Sequence, residues 1–298
     1  MKKILPFLLI SILVAFSSPV KSQIDYGSNP LVGKYLNVND IKVYYEIYGT
    51  GEPLLLLHGN GGSMESFGFQ IPELSKYFQV IAVDSRGQGR STDSDKEITY
   101  ALMASDMNEL IDKLKLVGVY ILGWSDGGNI GLELAYAHPE KVKKLITFGA
   151  NYSHENFLAP YDSTIIMDKN DPLVVTTIGW RQKRTATASE RLSPVPESSP
   201  AIQKKLADLM DKYPNFTIEQ LKKINVPTLI AVGDHDLIAL DHTVELFKNL
   251  PHAQLLIIPG ATHIVLVEQP DLVNSEIIKF LKTPYRDIDG YYFLSIPR

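Results

Sequence analysis

The sequence predicts an α/β fold: a mostly parallel sheet, covered by helices on both faces, with a lid inserted in the second half of the chain. Three observations predict it. Short apolar runs alternate with segments of helical periodicity from residue 53 to residue 281. One such run, residues 117–122, leads into Gly123-Trp124-Ser125-Asp126-Gly127 and then into the apolar-periodic residues 130–137. That is strand, sharp turn and helix. The alternation breaks between Asn151 and about Phe216, a stretch that holds Pro160, Pro172, Pro194, Pro196, Pro200 and Pro214.

The elements follow in chain order. Residues 1–22 read as a signal peptide, with Lys2 and Lys3 as its positive start, residues 4–16 as its apolar stretch and residues 17–22 as a small, polar end. Cleavage is placed after Ser22, with Ser17 and Ser18 as rivals. The apolar run falls short of the ~20 residues that cross a bilayer comfortably, so an exported protein, periplasmic or secreted, is expected, without stable membrane insertion once the signal is cut. Residues 23–298 then form a single domain. Residues 35–48 predict two antiparallel strands turning at Asn39-Asp40, and alternation at Ile41, Val43, Tyr45 and Ile47 supports the second. Residues 53–57 and 78–83 are further strands. Met103, Met107, Leu110, Ile111 and Leu114 recur at helical spacing, and such a row reads as core. Residues 145–148 form the strand before the lid, which spans about 151–216 with helical pieces at 174–184 and 201–212. Residues 227–232 and 254–258 are the last strands. A final helix covers 271–281, with Pro270 favourably placed at its start. The tail beyond it carries Tyr285, Tyr291, Tyr292 and Phe293, a composition that suggests packing.

The chemistry concentrates at the carboxyl ends of the strands, where open α/β sheets bind ligands. Gly123 to Gly127 fits G-x-S-x-G, in which a sharp turn lifts a serine hydroxyl out of the sheet and small flanking residues make room for it. A serine is a weak nucleophile at neutral pH and needs a base, which needs an orienting carboxylate. Downstream stand Asp234 and Asp236 after one strand and His263 after the next, in the order serine, acid, histidine. Ser125 is assigned as nucleophile, His263 as general base and then acid, and either aspartate as orienter. The loop His58-Gly59-Asn60-Gly61-Gly62-Ser63 follows the third strand. Its Asn60 backbone N–H, with that of Asp126, is expected to form the oxyanion hole. Trp124 and Tyr152 are candidate substrate contacts, as is the Asp126 carboxylate, which suits an ammonium and repels an anion. Tyr161, Trp180 and a basic run of Arg181, Lys183, Arg184 and Arg191 are weaker candidates. His58, Asp84 and Arg86 are expected to brace loops.

These residues carry a resemblance. His58-Gly59, Asp84 to Ser91, the serine turn, Gly233 to Asp236 and Gly260 to His263 resemble the motifs of α/β-hydrolase-fold serine hydrolases and span nearly all of residues 23–298. In that family the acid usually stands three residues after the strand's glycine, which favours Asp236 over Asp234. Gly123 to Gly128 and Phe148 to Asn151 further resemble the valacyclovir hydrolase, or biphenyl hydrolase-like, group. There the acidic residue after the nucleophile is implicated in binding the α-amino group of amino-acid esters, and Asp126 occupies that position.

The expected function is therefore hydrolysis of a small ester or related acyl bond through an acyl-enzyme. A lactonase or amidase on the same triad is the alternative, and so is a non-catalytic small-molecule binding protein. A serine at position 125 argues against the aspartate-nucleophile branch of the fold. Neither a phosphate loop nor H-E-x-x-H occurs, so no cofactor and no metal are expected. A net charge of −5 argues against nucleic acid, and the absence of cysteine excludes disulfides.

Overall fold

A computed structural model describes residues 25–159, 188–288 and 291. The signal segment, the helical piece at 174–184, Tyr161, Trp180, Arg181, Lys183, Arg184, Tyr292 and Phe293 lie outside the described residues. Eight strands form one sheet: β1 Lys34–Val38, β2 Ile41–Tyr48, β3 Pro53–Leu57, β4 Gln79–Val83, β5 Val119–Trp124, β6 Val142–Phe148, β7 Thr228–Gly233 and β8 Ala253–Ile258. Their order is β1-β2-β4-β3-β5-β6-β7-β8. β2 runs antiparallel to β1 and β4, and every other pairing is parallel. Asn39 turns the β1–β2 hairpin with φ 47°, a left-handed conformation that asparagine tolerates better than most residues.

Five longer helices flank the sheet: α1 Tyr100–Lys113, α2 Asp126–Ala137, α3 Ser199–Lys212, α4 Leu240–Asn249 and α5 Pro270–Lys282. The core has two layers. Met103 and Met107 of α1, Ile130 and Leu134 of α2, Leu206 and Leu209 of α3 and Leu246 of α4 pack on one face. Val273, Ile277 and Phe280 of α5 pack on the other with Phe67, Ile71 and Leu74. Strands such as β7, buried along its whole length, are apolar because both faces are covered.

Three details differ from the sequence expectation. The helix after Ser125 begins at Asp126 and not at residue 130, because Gly127 and Gly128 in its first turn serve close packing against Leu57 of β3 and against Thr147 and Ala150. A Cβ on Gly127 would lie 1.9 Å from the Leu57 carbonyl oxygen. The preceding strand starts at Val119 and continues to Trp124, since Val117 is exposed. Finally, β2 does not alternate between core and solvent: Tyr44 and Glu46 are buried as well. Residues 25–33 cover that second face. Glu46 accepts hydrogen bonds from Gly27 N (3.0 Å), Asn29 N (2.9 Å), Tyr44 OH (2.7 Å) and Tyr48 OH (2.6 Å). In the tail, Tyr285 packs edge-on against His252.

Candidate active site

The serine turn is built by close approach. Ser125 has φ 55° and ψ −121°, a strained backbone for a residue with a Cβ and a common mark of functional sites. The turn closes because Gly123 and Gly127 nearly touch: a Cβ on Gly123 would lie 2.2 Å from Gly127 O. Ser125 N donates to Phe148 O at 2.8 Å. Across the site, the position a Cβ would take on Gly59 is 3.1 Å from Ser125 Cβ and 3.7 Å from its Oγ.

β7 and β8 deliver the acid and the histidine. His263 Nδ1 lies 2.7 Å from Asp236 Oδ1, and the same oxygen accepts Ile238 N at 2.9 Å. A carboxylate there places the hydrogen of a neutral imidazole on Nδ1 and leaves Nε2 as the basic nitrogen. Asp234 is turned elsewhere: its Oδ1 accepts Ala261 N at 3.3 Å and lies 3.8 Å from His235 Nε2. Gly149, with φ 60°, lies under the pair, and a Cβ there would be 2.7 Å from His263 Cε1 and Nδ1 and 3.2 Å from Asp236 Oδ2. Trp124 donates its indole N–H to the His263 backbone carbonyl at 2.8 Å, so its polar edge serves the histidine loop.

The loop after β3 is held from beneath. His58 is buried, with Nδ1 2.8 Å from Gly59 O, and its Nε2 accepts Ser85 N at 3.0 Å. That pair of contacts selects the tautomer with hydrogen on Nδ1. Gly61 N donates to Gln88 Oε1 at 2.7 Å. Asp84 accepts Met64 N and Arg90 N at 2.9 and 2.8 Å, and burial pushes its carboxyl up to about 7. Arg86 is fully buried and bonds Asp106 and Asp40. Among the described residues, the backbone N–H groups of Asn60 and Asp126 have no hydrogen-bond partner.

The Asp126 side chain is buried and fixed. Oδ1 accepts Tyr100 OH at 2.8 Å and Oδ2 accepts Asn60 Nδ2 at 2.9 Å, while burial holds its carboxyl above the usual range. Tyr152 is turned toward α4: its ring stacks on His242 at 4.2 Å and its hydroxyl donates to Glu245 at 2.7 Å. Arg191 pairs with Glu65 at 2.5 Å. Sequence reasoning did not single out Tyr100 or the Asn129–Asn151 pair. Asn129 Nδ2 donates to Asn151 Oδ1 at 2.8 Å and Asn151 N donates to Asn129 Oδ1 at 3.0 Å, tying α2 to the segment after β6. Neither has a local sequence signature, since each partner comes from a different element. Among the described residues, no three or more His, Cys, Asp or Glu side chains are placed to hold a metal ion, and no helix is long and apolar enough to cross a membrane.

This sheet order is that of the α/β-hydrolase fold. The family model described as alpha/beta hydrolase fold matches residues 52–178. Carbamate hydrolase RutD of Azorhizobium caulinodans, a provisional name, is 28% identical over 257 residues, covering 83% of this chain and 97% of that protein. Serine hydrolase BPHL of Homo sapiens is 28% identical over 256 residues, covering 82% of this chain and 84% of its own. Among solved structures, the meta-cleavage product hydrolase of Pseudomonas fluorescens IP01 superposes with a TM-score of 0.66 at 21% identity, covering 84% of this chain and 97% of that one. That likeness is one of fold.

Proposed function

We propose that this α/β-fold hydrolase cleaves small carboxylic esters through an acyl-enzyme on Ser125, with His263 as base and acid and Asp236 as its orienter. The observation that carries the reading is the strained Ser125 turn with the backbone N–H groups of Asn60 and Asp126, which are unpaired among the described residues. Ser125 Oγ attacks the ester carbonyl carbon while its proton passes to His263 Nε2. The carbonyl oxygen becomes the oxyanion, received by the N–H groups of Asn60 and Asp126, and losing one such donor costs about 3 kcal/mol. The intermediate expels the alcohol, which takes the proton from His263, and leaves the acyl group on Ser125. Water then attacks with its proton passing to His263, and collapse returns that proton to Ser125 and releases the acid. Asp236 holds the ring and stabilises the imidazolium at each stage. The same steps would open a lactone or cleave an amide.

The resemblance to the valacyclovir hydrolase group extends this to esters of α-amino acids, with the Asp126 carboxylate as partner of the ammonium. Replacing Asp126 by Asn then raises KM selectively for amino-acid esters, and equal effects on plain acyl esters remove that extension. Residues 1–22 direct export and are cleaved, and residues 151–216 act as a lid over the site. The N-terminal mass of the protein recovered from its host tests the first. The deciding experiment for the activity is labelling with a fluorophosphonate, which phosphonylates an activated serine with loss of fluoride. An adduct at Ser125 that His263→Ala abolishes supports the proposal. A folded protein that neither labels nor cleaves p-nitrophenyl acetate overturns it in favour of a binding role.

A further inference from the structure

We infer that the Asp126 carboxylate is a latch that sets the spacing of the two oxyanion donors, which makes its side chain a positioning group for the transition state. The inference rests on the hydrolase reading above. Asp126 contributes one donor through its backbone N–H. Its side chain accepts a hydrogen bond at 2.9 Å from the side chain of Asn60, the residue that contributes the other. The two N–H groups are thereby joined across the site by a side-chain bridge. Apart from it they are connected through β3 and β5, which pair in parallel, and the loops that follow them.

The surroundings show why a bridge is needed. Asn60 lies between Gly59 and Gly61-Gly62, and Gly61 has φ 66°. A loop this rich in glycine has little conformational preference of its own. His58 bonds Gly59 O and Gln88 accepts Gly61 N. The Asn60 amide has two N–H donors, and both are used: one on Asp126 Oδ2 and one, at 3.3 Å, on Leu206 O of α3. Turning the amide over would set its oxygen against the carboxylate, so its orientation is fixed. On the far side Tyr100 OH holds Asp126 Oδ1 at 2.8 Å, so α1 anchors the latch. Asp126 is 4% exposed, and a hydrogen bond in so dry a place resists exchange with water. An oxyanion donor acts only if it aims at the developing charge, and a misplacement of about 1 Å can cost about a hundredfold in rate.

The test is a double-mutant cycle on Asn60→Ala, Asp126→Ala and the pair. Rates are measured with p-nitrophenyl acetate and with an α-amino acyl p-nitrophenyl ester, beside melting temperatures and fluorophosphonate labelling of the wild type. The latch predicts that each single variant loses about a hundredfold in kcat on both esters, with KM changed less than about threefold. The double variant is then no more than about threefold slower than the worse single. Asp126→Asn recovers at least about tenfold over Asp126→Ala, because its amide oxygen accepts from Asn60 while its NH2 donates to the Tyr100 hydroxyl. If Asp126→Ala does not fold, Asn60→Ala and Asp126→Asn carry the same comparison. Independent, multiplying losses overturn the latch, and so does a loss confined to KM for the amino-acid ester. In both cases a labelled, active wild type leaves the hydrolase reading standing. A wild type that neither labels at Ser125 nor cleaves either ester overturns both.

Discussion

Gly149→Ala is a sharp test of how the histidine is held. The glycine has φ 60° and lies against the His263 ring, where a new Cβ would be 2.7 Å from Cε1 and Nδ1. Ordinary contact between such atoms is about 3.5–4.0 Å, so the ring must retreat by about 1 Å. The ring cannot do so freely, because Nδ1 is bonded to Asp236 Oδ1 at 2.7 Å and the backbone carbonyl of His263 is bonded to Trp124. A shift of that size in the base proposed above costs about a hundredfold in rate. The left-handed backbone costs a non-glycine residue about 1–2 kcal/mol, which for a domain of this size lowers Tm by about 2–4 °C. The expected variant is folded, slightly less stable and about a hundredfold slower in kcat on p-nitrophenyl acetate, with KM nearly unchanged. Steady-state kinetics and thermal unfolding of the same preparation check this. A variant that keeps kcat within threefold while Tm falls would show that the ring position does not limit the reaction.

Three further outcomes follow from the contacts. Trp124→Phe removes the indole N–H from the His263 carbonyl; stability falls by about 1 kcal/mol and kcat falls by more than KM rises, as read by kinetics and Tm. Glu46→Ala strips four donors of their acceptor inside a fully buried site and lowers the unfolding free energy by about 3 kcal/mol or more, with faster amide exchange at Gly27 and Asn29. Burial pushes the half-buried Glu133 from the ordinary 4.5 to about 7. The folded state then holds the proton more tightly than the unfolded chain, so this group makes stability fall as pH rises from 4.5 to about 7. The gap corresponds to about 3 kcal/mol in full, which partial exposure cuts to about 1–2 kcal/mol. Glu133→Gln removes that slope and raises stability at pH 8, as urea unfolding at pH 5 and pH 8 would show.

The fold was legible because its signals are local. A strand buried on both faces has to be apolar, so the runs that became β3, β4 and β7 stood out. A turn that brings two backbones within contact has to use glycine, so Gly123 and Gly127 marked the serine turn. The same logic failed where the determining contact comes from afar. Alternation in β2 predicted one wet face, yet Glu46 and Tyr44 are buried there because residues 25–33 fold back over them. The periodicity of residues 130–137 missed the first turn of α2, whose small residues are chosen for packing against Leu57 and not for hydropathy.

The site divides along the same line. Asp236 and Asp234 have similar sequence surroundings, and what separates them is the direction each side chain takes as the chain leaves β7. One direction meets His263 at 2.7 Å, the other the Ala261 amide at 3.3 Å. Tyr152, on the segment after β6, spends its ring on His242 and its hydroxyl on Glu245. Trp124, beside the nucleophile, gives its N–H to the histidine loop. Both were expected to meet substrate, and both have polar groups already engaged with protein. Asp126 follows the same rule, with one carboxylate oxygen on Tyr100 and the other on Asn60. Polar groups around a serine nucleophile therefore have two uses that sequence does not distinguish: contacting substrate, or holding the groups that do. In this protein the polar groups of Trp124 and Tyr152 serve the second use, while the Asp126 carboxylate holds the Asn60 side chain and is tested separately as a partner for an ammonium. Of the segment after β6, α3 touches the loop after β3, where the Leu206 carbonyl accepts from the Asn60 side chain.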